Sequence, residues 1–92
     1  NPVNNEIQVI TSLDFSDRVA AKLMERNDLN KYIDFKEIED FPLFINQSFI
    51  VEPIENSDVI KITAFSTNSV FTKILANKIA ETAADYSTEF AR

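Results

Sequence analysis

The chain has 92 residues, with 15 acidic and 9 basic side chains, a net charge of −6, and no Gly, Cys, His or Trp. Without Gly there is no phosphate-cradling loop, dinucleotide-binding turn or nucleophile elbow, each of which needs a residue tolerant of positive φ or close backbone approach. Without His or Cys there is no ordinary zinc site, thiol nucleophile or imidazole base, so the composition reads as a non-enzymatic domain with no cofactor.

Asn4 to Arg26 is helical in pattern. Ile7, Ile10 and Leu13 make one short apolar face, and Phe15, Val19 and Leu23 repeat every four residues in the next. Asp14 and Ser16 lie between the two and are the expected N-caps, so a bend is predicted there, followed by a helix over Ser16–Arg26. Arg18, Lys22 and Arg26 form an i, i+4 row on its outer face. This row is either an anion-binding strip or a solvated face, and the spacing favours the latter.

Asn27 to Asp40 carries turn residues and then a mixed apolar–acidic segment. Asp34, Glu37, Glu39 and Asp40 suggest a cation site, but the Asp-x-Asp-x-Asp rhythm and the Gly of a calcium loop are missing, so no metal is expected. Pro42 suits the first turn of a short helix that starts after Asp40 or Phe41 and runs through Gln47. Phe49–Val51 and Val59–Phe65 are rich in β-branched and aromatic residues, with turn formers between them. They predict an antiparallel hairpin over about 49–54 and 58–65. Ile60, Ile62 and Ala64 lie on one face, and Val59, Lys61, Thr63 and Phe65 on the other.

From Asn68 to Arg92 the apolar residues Phe71, Leu75, Ile79, Ala83, Tyr86 and Phe90 step by three or four, which predicts a long helix capped by Ser66, Thr67 or Asn68. Nothing in the sequence stops it. The expected fold is a single α+β domain over 1–92, a small antiparallel sheet packed against helices, with Leu23, Ile60, Ile62, Leu75 and Ile79 in the core. Two strands alone are marginal, so further strands or a neighbouring subunit are implied. No apolar run approaches the roughly 18–20 residues that span a bilayer. The acidic balance argues against a nucleic-acid partner. Because the chain begins at Asn1 and its last helix has no stop signal, it reads as a piece of a longer protein.

The segment VEPIENSDVIKITAFSTNSVFTKILANKIAETAADY resembles the extracytoplasmic domain of bacterial polysaccharide chain-length determinants, the Wzz-type co-polymerases, and of the related membrane partners of tyrosine autokinases. Val51, Pro53 and Ile54 match that family's Val-x-Pro-Val. Ser57, Val59, Ile60 and Ile62 match its strand, and Ser66, Ala76, Asn77, Ile79 and Ala80 match the following turn and helix. Upstream, Glu6, Ile7, Ile10, Ser12, Val19, Ala20 and Leu29 follow the family's first helical stretch. Asn68-Ser69 replaces the family's Asp-Pro, which keeps a capping residue but loses the rigid first-turn proline.

The resemblance implies a non-catalytic, oligomerising domain outside the cytoplasm. It would belong to a cytoplasmic-membrane protein that regulates chain length or export of a surface polysaccharide. Its implied partners are further copies of itself, arranged in a ring, with the polymerisation or export machinery and a tyrosine kinase. In such an assembly Tyr86 and Phe90 would form an uncovered stripe, and the Arg18–Lys22–Arg26 row would face acidic side chains of the next subunit. Asn77 either bonds the turn before the hairpin or is a tolerated polar residue on the helix flank. The alternative is a soluble acidic module that meets a basic protein partner and has no membrane link. A hydrolase using carboxylates such as Glu52 and Asp58 is the remotest reading, because nothing suggests a sugar cleft between them.

Overall fold

The structure is a computed structural model that describes residues 2–90, with side chains over 3–86. It is an α+β fold in which helix α1 (Pro2–Ile10), α2 (Leu13–Met24) and α3 (Phe41–Asn46) precede strands β1 (Phe49–Pro53) and β2 (Ile60–Ala64) and a long helix α4 (Ser69–Phe90). Short 3₁₀ turns at Leu29–Lys31 and Phe35–Glu37 link α2 to α3. Helix α2 lies between α3 and α4, while α1 rests on β1 and α4 on β2.

The bend in the N-terminal helical stretch falls earlier than its expected caps. Ser12 stands in extended backbone and its hydroxyl accepts from Phe15 N–H at 3.1 Å, which starts α2 at Leu13. The same hydroxyl donates to Val9 O at 2.7 Å and so also closes α1. Neither Asp14 nor Ser16 caps. Asp14 accepts from the Tyr86 hydroxyl at 2.7 Å, and buried Ser16 takes a bond from the Asn46 amide at 3.1 Å. Asn46 also donates to Thr11 O at 2.9 Å, so α3 satisfies the backbone opened by the break. Helix α2 ends at Met24 rather than Arg26, with the Glu25 and Arg26 N–H groups bonding back to Lys22 and Leu23.

Helix α3 begins where Pro42 predicts. Asp40 is extended and its carboxylate accepts from Leu43 N–H at 3.1 Å. Asp40→Ala should lower stability by about 1 kcal/mol, the usual loss on removing an N-cap. Asp40→Asn, which can still accept that bond, should lose much less in the same urea titration.

The hairpin pairs Phe49 with Ala64, Val51 with Ile62 and Pro53 with Ile60, antiparallel and without a bulge. Its turn places Asn56 at φ 60°, a left-handed conformation that Asn tolerates better than most non-glycine residues. The Ser57 hydroxyl accepts from Val59 N–H at 2.8 Å and steadies the return strand. The faces alternate as the pattern predicts, with Ile60, Ile62 and Ala64 turned toward the helices.

The core differs from the expected one in two places. Leu23, Leu75 and Ile79 are fully buried, but Ile60 and Ile62 are only half-buried, because a two-stranded sheet cannot cover its own inner face. The missing core comes from the segment between α2 and β1, which contributes Leu29, Phe41 and Ile45. Phe15 joins the layers, with its ring 5.3 Å from Tyr86 and 6.5 Å from Phe49.

Candidate functional site

The Arg18–Lys22–Arg26 row, read from sequence as solvated or intersubunit, is engaged within the chain, two of its charges by carboxylates and one by an aromatic ring. The Arg18 guanidinium stacks over the Tyr86 ring at 4.4 Å from its centroid. Lys22 pairs with Asp85 and lies 4.0 Å from Glu81, both on α4. Arg26 makes two 2.9 Å bonds to Asp28. The row therefore ties α2 to α4 and to its own following turn. The acids that meet Lys22 and Arg26 belong to this chain, those of Lys22 on α4 and that of Arg26 in the turn after α2.

The Arg26–Asp28 pair has a pH signature. The hydrogen bond from Arg26 holds the Asp28 carboxyl below the usual carboxylate range, against a smaller opposing effect of desolvation, and raises the guanidinium in return. A carboxyl that titrates lower in the folded chain than in the unfolded one adds stability above its unfolded pKa. That contribution is lost as pH falls through the folded pKa. The difference in urea midpoint between wild type and Arg26→Ala should therefore narrow as pH drops from neutrality through the carboxylate range. A difference that widened on acidification would contradict the pairing.

Tyr86 is a correction to the sequence reading. It is only 7% exposed, lying between Phe15 and Arg18 with its hydroxyl bonded to Asp14, so it is core and not an uncovered stripe. The α-helical period placed it on the apolar face correctly. The projection beyond the domain does not occur there because α1 and α2 extend far enough to cover it. The Phe90 side chain lies outside the described residues.

The positions that carry the resemblance separate by role. Val51, Ile60 and Ile62 face inward against the core, Ile79 is buried, and Ala76 is half-buried. Pro53 ends β1 and is exposed, as are Ser57 in the turn and Ala80 on α4. Asn77 is also exposed. Its position between Leu75 and Ile79 turns it away from the sheet, which fits the second of its two readings, a polar residue on the helix flank.

The helix α4 start is held by a polar cluster. Asn68 Oδ1 accepts from Phe71 N–H at 2.9 Å, and the Ser66 hydroxyl lies 2.7 Å from both Asn68 O and Thr72 Oγ1. Beside it a cavity of about 440 Å³ opens between Tyr32, Phe44, Phe65 and Phe71, with no charged side chain in its lining. It offers shape and apolar contact but no acid–base pair. Glu52 stands opposite Lys61 across the hairpin and Asp58 lies in the exposed turn, so these two carboxylates share no cleft. Among the described residues no three carboxylates converge to hold a metal ion. Of the residues 34–40 acids, Asp40 is committed to its cap.

Four exposed large hydrophobic residues cluster on the hairpin. Ile50 and Ile54 on one side and Val59 and Phe65 on the other are 45–55% exposed, around the Glu52–Lys61 pair. The strand alternation had put Val59 and Phe65 on the face opposite Ile60 and Ile62, but solvent-facing residues are normally polar and nothing in the sequence singled the four out as one surface. No described helix is long and apolar enough to cross a membrane. Comparison with protein-family models, with curated proteins and with solved structures finds no match to this chain.

Proposed function

We propose that this chain is a non-catalytic, self-associating interaction domain, the extracytoplasmic base of a membrane-anchored polysaccharide co-polymerase that regulates chain length or export. The observation that supports this most is the hairpin, a two-stranded sheet whose outer face keeps Ile50, Ile54, Val59 and Phe65 in solvent. Exposed apolar surface of this kind marks a protein contact. The residues that carry the resemblance to the Wzz-type family also suit a scaffold. Val51, Ile60, Ile62 and Ile79 build the sheet–helix contact, and none of them presents a reactive group. In this reading the partners are further copies of the chain, the polymerisation or export machinery and an autokinase, and the domain lies outside the cytoplasmic membrane.

The parent gene tests the reading. Apolar spans of about 20 residues on both sides of this segment are expected, and deleting the gene should change the length distribution of a surface polysaccharide. An unchanged distribution, from a parent with no such spans, would refute it. That outcome would favour the soluble module instead, a reading supported by the net charge of −6 and by the internal pairing of Lys22 and Arg26.

A further inference from the structure

The two strands of the hairpin do not leave equal edges. Ile54 N–H donates to Val59 O at 3.0 Å and Phe65 N–H to Ser48 O at 2.9 Å. Bonded and non-bonded pairs alternate along an antiparallel ladder, so the bonded pairs between these two ends are Ile50–Thr63 and Glu52–Lys61. The backbone groups of Phe49, Val51 and Pro53, and of Ile60, Ile62 and Ala64, consequently point away from the hairpin. On β1 one of these residues is a proline with no N–H, and α1 packs against that strand. Strand β2 keeps three outward N–H and three outward C=O groups, none bonded to a described residue. Its inward side chains remain half-buried. Such an edge is a template for another strand.

We propose that β2 pairs antiparallel with β2 of a second copy about a two-fold axis at Ile62, making a four-stranded sheet in the order β1–β2–β2–β1. This contact goes beyond the functional reading above and stands without it. Charge and register identify the occupant. Residues 59–65, VIKITAF, hold one lysine and no acid in a chain of net charge −6, so a second copy meets less repulsion here than over the acidic surface.

With Ile62 facing Ile62 of the partner subunit, Ile60 faces Ala64 and Lys61 faces Thr63, so no like charges stand directly opposite. Just beyond each end of β2, Val59, 55% exposed, comes opposite Phe65, 47% exposed, which also borders the cavity beside α4, as an apolar–aromatic cross-strand pair. Sliding the partner two residues toward the turn sets Lys61 against Lys61, and sliding it the other way leaves Val59 and Ile60 unpaired. The sequence thus selects one register. A two-fold contact closes on two copies and differs from the head-to-tail contact of a ring, which would join β2 to β1 of the next subunit.

In the two-fold register positions 61 and 63 form a non-hydrogen-bonded pair with Cα atoms about 4.5 Å apart, within disulfide reach. Equal positions lie diagonally at about 7–8 Å, outside it. The chain has no cysteine, so Lys61→Cys and Thr63→Cys chains can be mixed under mild oxidation without competing thiols. The mixed disulfide should exceed either self-disulfide by about tenfold. A statistical mixture of the three species, or preferential coupling of Lys61→Cys to Glu52→Cys, would overturn the proposal, the latter in favour of the head-to-tail contact.

Sedimentation velocity supplies a second readout on exposed substitutions that spare the core. Thr63→Glu, placed opposite Lys61, should tighten self-association about three- to tenfold at low salt, and Thr63→Lys should weaken it by a similar factor. Shifts in the same direction, or none, would also overturn it.

Discussion

Phe15→Ala should lower the stability of the chain by about 3–5 kcal/mol, the largest effect expected of any single substitution here. Phe15 is fully buried, and its ring is the point where α2, β1 and α4 meet through Tyr86 and Phe49. Truncation removes the transfer energy of the ring and leaves a cavity that three separate elements would have to close together. A domain of this length has roughly 5–14 kcal/mol of stability in total, so the variant should sit close to unfolding at room temperature. Urea titration followed by circular dichroism measures the loss. Tyr86→Phe is the companion variant. It keeps the ring and removes the hydroxyl that bonds Asp14, at about 1 kcal/mol. If Phe15→Ala lost no more than Tyr86→Phe, the aromatic cluster would not be the centre of the fold.

Leu75→Ala should cost about 2–5 kcal/mol by the same cavity argument. Leu75 is fully buried midway along α4, one turn from both Phe71 and Ile79. Ile62→Ala should cost less, because Ile62 is half-open to solvent on the strand whose inner face the helices cover incompletely. A Leu75→Ala midpoint within about 0.5 kcal/mol of wild type would mark the position as surface. The contrast between the two positions also bears on association. If a second β2 covers this edge, the Ile62→Ala loss should grow with protein concentration while the Leu75→Ala loss does not.

The helices and the hairpin were legible because each rests on a local pattern. The four-residue step of Phe15, Val19 and Leu23 and the i, i+4 run from Phe71 through Ile79 specify buried helix faces whatever they pack on. The alternation from Val59 to Phe65 specifies a strand with two unlike faces, and Asp40-Phe41-Pro42 specifies a helix start. Local chemistry was less decisive where several capping residues competed. Ser12, Asp14 and Ser16 can each accept a backbone N–H. Ser12 takes the cap because Tyr86 claims the Asp14 carboxylate and Asn46 bonds Ser16, 72 and 30 residues away in the chain.

The same division holds for the candidate surface. Sequence by itself determined the α+β class, the outward set of β2 and the spacing of the basic row. Whether that row faces solvent or another element depends on where α4 lies, and only the tertiary structure sets Asp85 against Lys22 and Tyr86 under Arg18. The buried roles of Leu29, Phe41 and Ile45 were likewise illegible, since a lone apolar residue in a turn, or one i, i+4 pair on a six-residue helix, gains its burial from what folds over it. Periodicity is a property of neighbours in the chain, and it fixes which face of an element is apolar. The partner of that face is chosen by contacts between distant segments, whose free energy no short window of residues contains.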